Sequence, residues 1–175
     1  MNGNLTVSSG AAITQTGALT VTGTSSFTST GTDTNITLAT TTNNFGGTVT
    51  LNTTGTTSGD VSIDNDTNAL TLTGTINGSL TVLNGGTIAD SATLRVTGTS
   101  SFTTDATGAN ITLSSSDLEG AITLSTFATS NFTLDNGSQA VILAAGTVNG
   151  ASSITTSGAI SQTGALVVTG TSSFS

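Results

Sequence analysis

The sequence has no Cys, His, Lys, Pro, Trp or Tyr, and Arg95 is its one cation. Without Cys or His there is no thiolate nucleophile, no imidazole base, no soft metal site and no disulfide staple. Zinc, haem and redox chemistry therefore have no residues to work with, and no cofactor is expected. Without Lys there is neither a Schiff-base amine nor a phosphate-loop lysine. Ser and Thr hydroxyls are plentiful, but no imidazole or amine stands ready to activate one. Nine acidic residues against one Arg give a net charge of −8, which repels nucleic acid, since affinity there comes from neutralising phosphates. There is no run of about twenty apolar residues to make a membrane-spanning helix. Residues 1–20 also lack the basic start and apolar block of a secretory signal. The expectation is a protein that is not an enzyme.

What is present is concentrated in few residue types. Thr (43), Ser (24), Gly (22) and Asn (14) make up 103 of the 175 positions. Only 6% of residues are charged, too few for a disordered polar chain. The 41 Leu, Val, Ile and Phe residues recur with regularity. VTGTSSF occurs at 21–27, 96–102 and 168–174. Around it, ITQTGALTVTGTSSF from Ile13 returns as ISQTGALVVTGTSSF from Ile160 and as IADSATLRVTGTSSF from Ile88. NGNLTV at Asn2 matches NGSLTV at Asn77, and TNITL at Thr34 matches ANITL at Ala109. FGGTVTL at Phe45 matches LEGAITL at Leu118, and VSIDNDTNALTL at Val61 matches FTLDNGSQAVIL at Phe132. The chain is a tandem array with units 1–75 and 76–147 and an unfinished third, 148–175, which reads as one solenoid piece of a longer protein.

Within a unit, apolar-polar-apolar triplets recur, as at Leu5/Val7, Ile36/Leu38, Val49/Leu51 and Val61/Ile63. That period of two predicts short strands, and the Gly, Asn, Asp and Ser between them predict turns. NG pairs at Asn2, Asn77, Asn84, Asn136 and Asn149 suit turn positions with positive φ. No helical period occurs. With no Pro to remove a ladder donor, the pattern predicts an all-β parallel β-solenoid of roughly 7 to 9 coils. Each coil would have about 18 to 25 residues in three short strands, apolar side chains inside and Thr and Ser outside. Its end rungs would be sticky edges unless capped or continued.

ITQTGALTVTGTSSF, NNFGGTVTL and DTNALTLTGTINGSLTV resemble the repeats of large bacterial exoproteins of the filamentous-haemagglutinin-like kind. The resemblance implies a right-handed parallel β-helix and export through an outer-membrane transporter by two-partner secretion or a related route. It also implies a secreted, cell-surface filament or adhesin. Its partners would be neighbouring repeats of the parent chain and host or surface glycans or proteins.

Three groups of residues invite a chemical reading. Asp60, Asp64 and Asp66 in GDVSIDNDTN offer hard oxygen ligands suited to calcium. Their spacing fits neither a helix-loop-helix calcium loop nor the glycine-rich nonapeptide repeat, and the second unit has Asn131, Asp135 and Gly137 there. Solvated turn residues and no metal are expected. Asp117 and Glu119 have the form of a glycosidase carboxylate pair. SSSDLEGA reads as a turn, however, and Asn44 and Gly46 replace them in the first unit. Thr20/Thr22/Thr24 and Thr71/Thr73/Thr75 raise a binding face for ice or glycan, although such a face needs the same Thr pair on every coil and these strings are expected to change length and register from coil to coil.

Overall fold

The computed structural model describes residues 1–54 and 59–175. Among them there is no helix, every strand pair is parallel, and the chain winds into a β-solenoid of about eight turns. Register partners on successive coils lie as close in sequence as Leu70↔Ile88 and as far apart as Ile36↔Val61, which is the range of coil length expected. At about 4.8 Å per rung, eight coils make a rod about 38 Å long.

Three walls enclose the core. The first stacks Leu5–Ser9, Ser25–Ser29 and Val49–Thr53, then residues 72–76 and 94–96, then Ser116–Leu118. The second stacks Ile13–Thr14, Ile36–Leu38, Val61–Asp64, Leu80–Asn84, Ser100–Thr104 and Ala121–Ser125. Ala121–Ser125 then pairs with both Val141–Leu143 and Gly146–Val148, and these carry Ile160–Gln162 and Leu166–Val168. The third wall begins with Thr20–Val21 and Asn44–Phe45, and ends with Ile111–Leu113, Phe132–Asp135, Ser152–Thr155 and Ser172–Phe174. Between those parts, Leu70–Ile76 and Ile88–Val96 each run from the third wall around a corner onto the first.

Alternation places one side chain in two inside. Val7, Phe27 and Leu51 share a register column, as do Ile63, Val82, Phe102 and Leu124. The rings of Phe27 and Phe45 meet edge to face, 6.0 Å between centroids at 79°, the arrangement aromatic quadrupoles favour. Ser25 and Ser100, at matching places in VTGTSSF, also point inward, with buried hydroxyls that have no partner. Each costs on the order of 1–3 kcal/mol.

The glycines of the repeat sit where coils touch backbone to backbone. The Gly98 N–H donates to the Gly78 carbonyl at 2.9 Å, and a Cβ on Gly98 would lie 2.6 Å from that carbonyl carbon. A Cβ on Gly120 would lie 2.2 Å from the Gly98 oxygen. This corrects the reading of NG pairs as positive-φ turns. Gly3 and Gly137 do have positive φ, but Gly78, Gly85 and Gly150 are needed for close approach. Asn84 and Asn136 turn inward and are fully buried, because their amides satisfy corner backbone that water cannot reach.

Equivalent segments of the three units occupy different walls. Ser25–Ser29 lies on the first, Ser100–Thr104 on the second and Ser172–Phe174 on the third. Leu5–Ser9, Leu80–Asn84 and Ser152–Thr155 follow the same order. The cause is arithmetic: 175 residues in about eight turns is about 22 per coil, so a unit such as 1–75 or 76–147 spans about three and a third coils. Each unit is therefore turned by one wall from the last, and any repeated surface residue is displayed around the rod instead of along one side.

Candidate functional site

The acidic residues of GDVSIDNDTN do not converge as one ligand set. Asp60 precedes strand Val61–Asp64 and Asp64 ends it, so the strand itself separates them. Asp60 Oδ1 accepts the Ser79 N–H of the next coil at 2.7 Å. In the second unit Asn131 Oδ1 accepts the Ala151 N–H in the same way, also at 2.7 Å. One rung earlier, Asn35 accepts from Asp60 and Asn110 accepts from Asn131, at 2.9 and 2.8 Å. An oxygen at this position stitches coil to coil, and Asn supplies it as well as Asp.

The other two positions repeat with the same logic. Asp64 Oδ1 accepts the Asp66 N–H at 2.7 Å, and Asp135 Oδ1 accepts the Gly137 N–H at 3.0 Å. Asp66 and Gly137 hold nearly the same backbone angle, φ 55° and 58°, in the left-handed region open to Gly and tolerated by Asp. The exchange of Asp for Gly between units preserves the turn and drops the charge.

Between these two residues, Asn65 and Asn136 fill gaps in the ladder. Asn65 Oδ1 accepts the Phe45 N–H at 2.6 Å, while its Nδ2 donates to the carbonyls of Phe45 and Ala69 at 3.3 and 2.9 Å. Asn136 does the same for Leu118 N–H and C=O, at 2.8 and 3.0 Å, and for the Ala140 carbonyl at 3.3 Å. Each amide imitates the peptide that a missing strand would have offered. The sequence signal is the DN pair at matched places in both units, which turn composition alone does not single out.

A new acidic neighbour appears across coils. Asp64 and Asp66 line a depression of about 140 Å3 with Thr41, Thr67, Leu83, Gly85 and Asp105. Asp105 lies two coils along, its carboxylate over Gly85, where a Cβ would come within 3.0 Å of it. A shallower trough of about 420 Å3 continues from Thr67 and Gly85 past Thr87 and Thr107. Among the described residues, no three acidic side chains are arranged to hold a metal ion.

Burial pushes the Asp64 carboxyl above the usual 3.8, helped by repulsion from Asp105 and Asp66 and opposed by the Asp66 N–H bond. A carboxyl raised in the fold favours its protonated form there. Its charge therefore opposes folding at neutral pH, and that penalty is relieved as pH falls through the raised value toward 3.8. Asp105→Asn should bring the Asp64 pKa down, read by NMR titration, and raise Tm by about a degree. An unmoved Asp64 titration would show that the two carboxylates do not interact.

Asp117 and Glu119 are held differently from the expected turn. Ser116–Leu118 is a strand in register with residues 94–96, because Leu118 is fully buried and draws its segment into the wall. Both carboxylates meet the one guanidinium: Arg95 Nε lies 3.3 Å from Asp117 Oδ2, and Nη2 lies 2.5 Å from Glu119 Oε1. This triad is partly solvent-exposed and contributes about 0–1 kcal/mol. It joins neighbouring rungs, with both carboxylates already engaged by Arg95.

Contrary to the expected change from coil to coil, hydroxyl residues keep register on two walls, since turns of unequal length restore it; of the two Thr strings, only Thr73 and Thr75 stand in these columns. On the first wall the outward pairs Thr6/Ser8, Ser26/Thr28, Thr50/Asn52 and Thr73/Thr75 stand in two columns over four rungs without a charge. On the second wall Thr14, Thr37, Ser62, Thr81, Ser101 and Thr123 form one column of six hydroxyls.

A family described as repeats of unknown function (DUF5649) matches residues 1–52, 58–125 and 129–175, and each span contains one VTGTSSF segment. No curated protein and no solved structure matches the chain at a significant level.

Proposed function

The chain belongs to this family of repeats of unknown function, and from that premise we propose that it is a structural or adhesive segment of a large secreted bacterial exoprotein. In this reading it stands at the cell surface and catalyses nothing itself. The observation that carries the reading is what the units share once superposed. Asp60/Asn131, Asp64/Asp135, Asn65/Asn136 and Asp66/Gly137 preserve a hydrogen bond or a backbone angle in every case, and a charge only at Asp64/Asp135. A repeat kept for geometry suits a spacer, and turning each unit by one wall gives that spacer similar sides. The outer-membrane transporter and host-surface partners belong to the same reading through the exoprotein resemblance.

An antibody raised against the chain should label intact bacteria that carry it, and protease added outside should remove the label. Labelling only after lysis would overturn the surface assignment. A second reading, direct binding through a flat Thr and Asn face, draws on the two uncharged columns of the first wall. Thermal hysteresis would reveal ice binding, and specific signals on a glycan array would replace the passive spacer with a binding rod.

A further inference from the structure

The corner that leads from the second wall to the third is notched. There the short turn 85–87 lies between the longer turns 65–69 and 105–110 of the coils on either side. The flanking turns stand two rungs apart, about 9.6 Å, and between them the floor is Gly85 and Gly86. No side chain can fill that floor, since a Cβ on Gly86 would lie 2.2 Å from the Asn68 carbonyl oxygen. The deeper end of the notch is the depression of about 140 Å3, and the trough of about 420 Å3 continues it.

The chemistry of the deeper end is one-sided. Asp64 is 5% exposed, and its Oδ1 accepts the Asp66 N–H, while among the described residues no donor reaches Oδ2. Asp66 and Asp105 bring two more carboxylates to the same hollow. Arg95, the one cation of the chain, is held elsewhere by Asp117 and Glu119. Beside the carboxylates, Leu83 is 43% exposed, where its register partner on the next coil is the polar Thr103. A buried carboxylate oxygen without a donor, two further negative charges and a bare apolar side chain call for a group that is apolar along its stem and cationic at its tip.

We propose that this notch docks an arginine side chain of a partner polypeptide, its guanidinium against Asp64, Asp66 and Asp105 and its methylenes on Leu83. A planar guanidinium offers five N–H donors, so it can serve Asp64 Oδ2 and a neighbouring carboxylate together. The size agrees, because a cavity of about 150 Å3 takes a benzene-sized group. The partner's backbone on either side of the arginine then runs along the uncharged trough, over Thr87 and Gly108. A second copy of this chain is a poor occupant, its Arg95 being already engaged. In the second unit Gly137 stands for Asp66, so the matching turn there lacks this carboxylate. The inference needs only the corner geometry and is independent of cell-surface placement.

Titration with Nα-acetyl-arginine amide should shift the amide resonances of Leu83, Gly85 and Asp105, with a dissociation constant on the order of a millimolar. Added salt should weaken it. The citrulline analogue, equally long but neutral, should leave these resonances and that of Gly137 unmoved. Asp66→Gly, which copies the second unit at the same backbone angle, and Asp105→Asn should each weaken arginine binding about fivefold with the thermal transition retained. Parent affinity in both variants, or equal shifts with citrulline, would overturn the proposal. A glycine-serine peptide with one central arginine should bind more tightly than the amide and extend the shifts to Thr87 and Gly108. Equal affinity with Gly108 unmoved would overturn the assignment of a polypeptide partner.

Discussion

Replacing Leu94 with aspartate is expected to abolish the cooperative thermal transition of the central coils. Leu94 is fully buried in Ile88–Val96, between Gly74 on one coil and Ser116 on the next. Arg95, the one cation, faces outward and is already held by Asp117 and Glu119. The same strand shows what an inward carboxylate requires. Asp90, four residues earlier, is 9% exposed and accepts hydrogen bonds from Ser114 N, Ser114 Oγ, Ser115 N and Ser116 Oγ, at 2.8 to 3.1 Å. It lies at the corner where the ladder shifts register, so donors are free to reach it. At Leu94 the neighbouring backbone is committed to the ladder, and the hydroxyl opposite it, Ser116 Oγ, is already given to Asp90. Burying an unpaired charge there should cost more than about 4 kcal/mol, the range reserved for severe core lesions. Exposed Thr20→Lys should stay within about 0.5 kcal/mol of the parent. Because each coil contacts only its neighbours, amide exchange protection should disappear first on the coils flanking Leu94. Equal melting of the two variants would disprove the inward register of this strand.

Asn65→Leu is expected to be the second most damaging change, despite its similar volume and greater hydrophobicity. Removing the amide strands the Phe45 N–H and C=O and the Ala69 carbonyl inside the corner, without water or strand to replace it. At about 1–3 kcal/mol for each of the three buried groups left unpaired, partly offset by the greater hydrophobicity of Leu, the loss should be about 3–5 kcal/mol, measured by urea unfolding. Asn136→Leu should behave alike, since Leu118 and Ala140 depend on it in the same way. Wild-type stability in both variants would mean that the ladder gaps need no bridge.

These two predictions differ in how far the sequence anticipates them. The inward position of Leu94 can be read from the alternation Leu94/Val96, because in a strand successive side chains must face opposite ways. The role of Asn65 cannot be read that way. Asn is as common in solvated turns as in buried corners, and only the meeting of Phe45 with a side chain from the next coil distinguishes them. The carboxylates teach the same point. Asp60, Asp64 and Asp66 look like one cluster because they are close in sequence, whereas a strand of about 3.3 Å per residue carries Asp60 away from Asp64. Asp105 joins Asp64 instead, since two further coils return the chain to the same corner.

By itself the sequence determined the coil. Lacking Pro, helical periodicity and charge, and alternating apolar with hydroxyl residues, this chain can bury most of its 41 Leu, Val, Ile and Phe residues only by stacking short parallel strands. Tertiary structure alone decided which wall each unit occupies, which Thr pairs align into columns, and which carboxylates meet. Those outcomes depend on the third of a coil left over when units 1–75 and 76–147 are wound, and on turns that each absorb a few residues. Spacing along the chain records neither quantity, because register is set between coils, by core side chains that fit only one way.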